Sequence, residues 1–340
     1  VVLYRRPGLR LGIGLPAPSD LVRALQRDLR ALGYLKVGLD GRFGDGTAAA
    51  VRALQHDLLF NDGRGRDGQA PVAMQAFNQG RVSVVSGVLD EGVAACIEAL
   101  LDDPRVPKLP RSDTPDADNR KALETVQALA ADLPVPVPFL LGILAQESSL
   151  MHFRVPTAGN ADDFIVVGLD RGDQASTDHI TSRGYGIGQY TLFHHPPRPE
   201  EVTSVMTDPA LNVRRAVDEL REKFDRFVIG PTSGTRADDR VAEIGTGPLR
   251  PCRFPETDER FLRDCANCAR QARTVTIETG APCFPGSTLL FHATPVHRAA
   301  QYKNVPDRAQ LGCDWPYATR RYNGGGINSY HYQAQVLLRL

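Results

Sequence analysis

A glycine turn followed by an apolar-faced helix occurs twice near the start of the chain, and this duplication constrains the fold more than any other feature. Asp40–Leu54 reads DGRFGDGTAAAVRAL and Ser86–Leu100 reads SGVLDEGVAACIEAL. At one constant offset Gly41 matches Gly87, Phe43 matches Leu89, Gly46 matches Gly92, Val51 matches Ile97 and Leu54 matches Leu100. Turn glycines and core positions are kept while the surface varies, as expected of a repeated unit that buries its apolar face against a neighbour. A further helix precedes the pair. Leu21, Leu25, Leu29 and Leu32 recur at helical spacing, Ser19-Asp20 offer an N-cap, and Gly33 follows as a stop. Asn61–Asp67 reads as an exposed polar loop between the copies.

The chain has 340 residues and is 42% hydrophobic, which suits about two packed domains. Its 40 Lys plus Arg balance 40 Asp plus Glu, so no basic excess points to nucleic acid as a partner. No apolar run approaches the ~20 residues needed to span a bilayer. The first domain is expected over 1–102. Residues 103–119 read as a linker, with Pro104, Pro107, Pro110 and Pro115 among charged residues. The second domain is expected over 120–340.

Within the second domain, a helix starting near Pro138 carries Leu140, Ile143, Leu144, Glu147 and Met151 along one face. A carboxylate on an apolar face is unusual. Burial there would disfavour its charged form and suit it to proton donation near neutral pH. The same position also fits a helix-end residue that reaches solvent or pairs with Arg154. Downstream, Gly184-Tyr185-Gly186-Ile187-Gly188-Gln189-Tyr190-Thr191 alternates glycines that let backbone approach a ligand closely. A plain tight turn fits it too, but a phosphate loop does not, because the Lys-Ser/Thr ending is missing. Asp208-Pro209 opens a helix with Val213, Val217, Leu220 and Phe224 on its buried face. Arg214, Arg215, Asp218, Glu219 and Arg221 read as its solvated face. Tyr322-Asn323-Gly324-Gly325-Gly326, with Tyr330 beyond, closes the set.

These motifs carry two resemblances. Residues 8–102 resemble the three-helix peptidoglycan-binding domain family through Leu25-Gln26, Leu29, Gly33-Tyr34, Asp40-Gly41-Arg42-Phe43-Gly44, Thr47, Val51 and Leu54-Gln55; Met74–Val85 departs from it as an insertion. Residues 120–340 resemble the lysozyme-like superfamily of lytic transglycosylases and goose-type lysozymes. Glu147-Ser148-Ser149, Gly186-Ile187-Gly188-Gln189 and Tyr322-Asn323-Gly324-Gly325 stand in that family's motif order. The implied fold class is mainly α: a three-helix wall-binding domain plus a lysozyme-like α-rich (α+β) catalytic domain with insertions. The long Met151–Ser182 gap and the 227–316 insertion depart from the family's usual spacing.

The resemblance implies cleavage of the β-1,4 bond between N-acetylmuramic acid and N-acetylglucosamine in peptidoglycan glycan strands, with no cofactor. Glu147 would be the acid/base, and Ser148, Gly188, Gln189, Tyr190, Tyr322, Asn323 and Tyr330 would support or bind the sugars. A lytic transglycosylase needs one carboxylate and leaves 1,6-anhydromuramoyl ends. A hydrolysing muramidase normally uses two, and Asp162, Asp163, Asp170 and Asp173 are the candidates for the second. A non-catalytic wall-binding protein is the rival from another class. The implied location is periplasmic, secreted or delivered to the wall, with phage and bacterial origins both open. Cys252, Cys265, Cys268, Cys283 and Cys313 crowd the insertion. Disulfides and a zinc site with His292 or His297 are both open for them, and the insertion is a candidate surface for a protein partner. Trp315, His56 and His194-His195 read as packing, surface and loop residues.

Overall fold

The computed structural model describes residues 2–14, 18–36, 38–130, 137–157, 163–224 and 315–323, with residues 332, 335, 336 and 339 near the C-terminus. The described part is helix-rich with two small sheets. Helix α1 spans Asp20–Ala31, α2 Asp45–Phe60, α3 Glu91–Asp102, α4 Pro115–Ala130 and α5 Val137–Ser148. Strands β1 (Arg64–Gly65) and β2 (Gly68–Gln69) form a small hairpin. Strands β3 (Val167–Asp170), β4 (Ser182–Tyr185) and β5 (Tyr190–Leu192) form an antiparallel sheet in that order. The one-turn helix α6 (Pro199–Glu201) runs into a wide turn at Val202–Met206; α7 (Pro209–Phe224) and α8 (Trp315–Tyr322) follow.

Contacts divide the chain into two units. One joins Val1–Thr125 to Met151–Val213, and the other joins Val126–Leu150 to Arg214–Leu340. This division cuts differently from the expected spans of 1–102, 103–119 and 120–340.

In the first unit, Leu25 and Leu29 of α1, Val51 and Leu54 of α2, and Val93, Ile97 and Leu100 of α3 share one core. Each fully buried leucine contributes roughly 1.5–3 kcal/mol. Ser19 Oγ accepts from the Val22 N–H and caps α1. The sequence repeat is also a repeat of hydrogen bonding. Gln26 Oε1 accepts from the Gly41 N–H at 2.7 Å, and its amide nitrogen donates to Asp40 Oδ1 at 2.8 Å. One unit later, Gln55 Oε1 accepts from the Gly87 N–H at 2.8 Å, and its amide nitrogen donates to Ser86 Oγ at 3.1 Å. Each glutamine lies on the helix before the turn it clamps. Both turn glycines are left-handed, with φ +75° at Gly41 and +73° at Gly87.

Gly41 has the further constraint that a Cβ there would lie 3.0 Å from the Ser19 carbonyl oxygen. Gly41→Ala is therefore expected to lower stability by at least about 1–2 kcal/mol, the conformational cost of an L-residue in that region. Gly80, with φ +75° and open space around it, is the control: Gly80→Ala should cost the conformational part alone. Urea midpoints of the two variants separate the contributions.

Residues 103–114 carry more structure than a linker. Val106 and Leu109 are buried, and α4 already begins at Pro115. Asn61–Asp67, expected as an exposed loop, is mostly exposed and enters the β1–β2 hairpin, with Gly63 buried within it. Segment 151–213 joins the first unit because its side chains complete that unit's core: Phe164 and Ile180 pack with the helical leucines. Its polar groups are matched as well. Arg183 of β4 donates to Asp57 Oδ2 of α2 at 3.1 Å and to the Gly33 carbonyl at 3.2 Å. Tyr34 donates to the same carboxylate at 2.7 Å. His194 bridges Asp67 at 2.8 Å and Glu201 at 3.0 Å, and the His195 ring meets Tyr34 edge-on at 5.0 Å. His194 and His195 lie in a loop, as the sequence indicated, and are buried within it as connectors.

Candidate functional site

Helix α5 is apolar along most of its length. Phe139, Leu140, Ile143 and Leu144 are buried, and Glu147 follows one turn after Ile143 on the same side. The helix ends directly after Glu147-Ser148. Ser148 Oγ donates back to the Leu144 carbonyl at 2.9 Å. The Ser149 and Leu150 N–H groups close the turn onto Ala145 at 3.0 Å and Leu144 at 3.3 Å. Ser149 and Leu150 both hold left-handed backbone, φ 57° and 63°, which non-glycine residues rarely adopt. Two strained residues in succession are a feature that functional sites accumulate.

Glu147 has a specific partner. The Tyr332 hydroxyl donates to Glu147 Oε1 at 2.6 Å. Burial pushes the Glu147 carboxyl above the usual carboxylate range; the Tyr332 hydrogen bond opposes this, and the charge of Glu219 reinforces it. Glu219 lies on α7 and pairs with Lys223 at 3.5 Å, one turn on. The Glu219 side chain stays about half exposed, 47% accessible to water. The Tyr322 hydroxyl of α8 feels both carboxylates, and burial with those two charges holds it well above its ordinary value. Glu147, Glu219, Tyr322 and Tyr332 therefore form one electrostatically coupled group within the second unit. Burial and the Glu219 charge together favour the protonated form of Glu147.

In the first unit, the glycine motif forms the β4–β5 turn. Gln189 has φ 51°, and its amide nitrogen donates to the Gly186 carbonyl at 2.8 Å. Its amide oxygen lies over Gly168 and Gly184, a cross-strand pair where a Cβ on either would collide with it. Gly188 is buried, with its N–H donated to Asn212 Oδ1 at 2.7 Å. Tyr190 packs half-buried against the sheet core.

The proposed second carboxylates fall elsewhere in that unit. Asp163 pairs with Arg111. Asp170 ends β3 exposed. Asp173 accepts from His179 at 2.8 Å, and that contact holds its carboxyl below the usual range. Asn323 is exposed directly after α8. Asp162, Tyr330, the five clustered cysteines, His292 and His297 lie outside the described residues. Among the described residues no His, Cys, Asp and Glu group could hold a metal ion, and Cys96 is a buried free thiol.

Sequence reasoning missed Tyr332, the hydrogen-bond partner of Glu147. Tyr332 stands two residues beyond the tyrosine it selected. Glu219 is exposed on α7, as its place on the solvated face implied; what a helical wheel does not show is that its charge acts on Glu147.

Residues 18–61 match the family described as "Putative peptidoglycan binding domain". The match covers α1, the first glycine turn and α2, and it stops short of the second copy. No curated protein and no solved structure matches the chain. No described helix is long and apolar enough to cross a membrane. The similarity is thus to a peptidoglycan-binding domain and covers this N-terminal segment of the chain.

Proposed function

We propose that this chain cleaves the muramoyl β-1,4 linkage of peptidoglycan, as a lytic transglycosylase. The observation that carries the reading is Glu147: a carboxyl at the end of an apolar helix, raised in proton affinity, with one oxygen occupied by Tyr332. With Oε1 engaged, Oε2 is left to carry the proton that goes to the glycosidic oxygen as the bond breaks. The same carboxylate then takes the proton of the muramoyl 6-hydroxyl as that oxygen closes the 1,6-anhydro ring. Gln189 of the first unit and Asn323 of the second each carry an amide suited to an N-acetyl sugar. The peptidoglycan-binding domain keeps the enzyme on an insoluble substrate, raising the local concentration of strands. Function at the wall requires export or delivery there.

A hydrolysing muramidase is the second reading, and Glu219 is the observation that favours it. Water activation uses a second carboxylate across the scissile bond from the acid, and the charge of Glu219 acts on Glu147. Digestion of purified peptidoglycan, with the soluble products weighed, decides between them. The expected result is 1,6-anhydromuramoyl ends. Reducing muramoyl ends would establish hydrolysis, and their loss in Glu219→Gln would give Glu219 the role of base. No soluble glycan from wall that a control enzyme digests would leave only wall binding.

A further inference from the structure

The loop Gly186–Gln189 is held in shape by side chains that no sequence motif includes. His152 accepts from the Ile187 N–H through Nδ1 at 3.3 Å and donates through Nε2 to the Met206 carbonyl at 2.8 Å. A carbonyl only accepts and an amide N–H only donates, so these two contacts fix the neutral, Nε2-protonated tautomer. Asn212 completes the frame. Its Oδ1 accepts from the Gly188 N–H at 2.7 Å, and its amide nitrogen donates to the carbonyls of Tyr185 at 2.9 Å and Val205 at 3.0 Å. Asn119 fixes the histidine in turn: its Oδ1 accepts from the His152 N–H at 2.7 Å and the Phe153 N–H at 3.0 Å. His152 and Asn212 are both buried. They press so closely on Gly186, at φ +75°, that a Cβ there would lie 2.5 Å from the imidazole and 2.8 Å from the Asn212 amide.

This frame exceeds what a tight turn needs. A β-hairpin turn with a glycine at its left-handed position forms without buried polar support. Here two successive loop N–H groups are each assigned a buried acceptor, and the residue they lead to, Gln189, is a non-glycine residue in left-handed backbone. We propose that His152, as its neutral tautomer, and Asn212 are positioning residues that hold Gln189 in the conformation in which its amide meets the N-acetyl sugar. The proposal rests on the sugar-binding role given to Gln189 above.

The proposal predicts a pH signature. Burial holds the His152 imidazole down to about 4, against the opposing pull of the Met206 carbonyl and the charges of Asp118 and Asp208. Asp208 itself lies 3.9 Å from Lys121. Protonation at Nδ1 sets an N–H against the Ile187 N–H and releases the loop, so sugar affinity falls as pH drops toward about 4.

The test uses the full chain and purified peptidoglycan, with three variants. His152→Leu removes both contacts and is expected to raise KM about tenfold, the equivalent of about one hydrogen bond, with kcat within about twofold. His152→Asn places an amide oxygen near the Nδ1 position and is expected to stay within about threefold of the parent KM. Having no titrating ring, it should also lose the acid rise in KM. Asn212→Ser is the milder probe of the other acceptor and serves if His152→Leu does not fold. Amide hydrogen exchange of Ile187 and Gly188 is followed alongside, slow in the parent and fast in His152→Leu or Asn212→Ser. Unchanged KM and unchanged exchange in folded His152→Leu or Asn212→Ser overturn the proposal. An acid rise in KM that persists in His152→Asn overturns the part assigned to the tautomer. A parent that releases no glycan sinks the enzymatic reading instead, and fast exchange in the variants then still identifies what holds the loop.

Discussion

Glu147→Gln is expected to reduce release of soluble glycan by about 10²–10⁴-fold while leaving wall binding and fold intact. The amide keeps the shape of the carboxyl, and its oxygen still accepts from the Tyr332 hydroxyl. What it lacks is a proton acidic enough to give to a departing sugar oxygen. Stability should move in the opposite direction. Because the folded carboxyl is raised above its free value, its favourable contribution is complete below about 4.3 and is lost as pH rises through the folded value. Gln carries no such loss, so the variant should melt no lower than the parent at neutral pH, and higher where the parent carboxylate is ionised. A residue whose removal abolishes turnover and raises the melting temperature is held for chemistry rather than for packing. The neighbours give signs as well. Tyr332→Phe removes a hydrogen bond that favours the carboxylate and should move the alkaline limb of kcat upward. Glu219→Gln removes a repelling charge and should move the same limb downward. Shifts of the reverse sign would show that some other group sets that limb.

The parts of this molecule legible in the sequence are those governed by local rules. Leucine spacing and the Ser19 cap located α1, and the glycine offset located two turns that the structure clamps with Gln26 and Gln55. Glutamine at these positions was legible as a family feature, but its job was not, since the hydrogen bonds cross from one helix to the following turn. The burial side of Glu147 followed from helical spacing. Its partner did not, because Tyr332 lies 185 residues away and only the fold brings it within bonding distance. The same holds for segment 151–213. Period-two patterning is weak in strands as short as β3, β4 and β5. Nothing local says that Arg183 belongs with Asp57, or that two adjacent histidines are buried connectors.

That buried pair is where the largest loss of stability is expected. Asp57 and Arg183 are both almost fully removed from water. Burial alone would raise the Asp57 carboxyl. The nearby His56 ring, the Arg183 charge and the Tyr34 hydrogen bond outweigh it and hold the group well below the usual carboxylate range. Removing one partner strands the other. Arg183→Met leaves a buried carboxylate with only neutral donors, and Asp57→Ala leaves a guanidinium with the Gly33 carbonyl and the Tyr34 ring face at 5.1 Å. Either change is expected to cost about 3–5 kcal/mol, whereas Asp57→Leu combined with Arg183→Met should cost much less, since apolar pairs replace buried ion pairs at little loss. Acid should act on the same contacts. The stabilising effect of Asp57 is present above about 3.9 and is lost as pH falls through its depressed folded value. His195 begins earlier: burial keeps its ring neutral well below the ordinary histidine value, so the unfolded chain takes up a proton that the folded chain refuses from about 6.5 downward. His152 adds to that upper window. Melting temperature against pH should therefore fall in two stages, and the double variant should keep the first and lose most of the second. Because Asp57 lies inside the residues that match the wall-binding family and Arg183 on the strand leading into the Gln189 loop, single variants should lose wall affinity and loop protection together. Loss of one without the other would mean that the pair does not couple them.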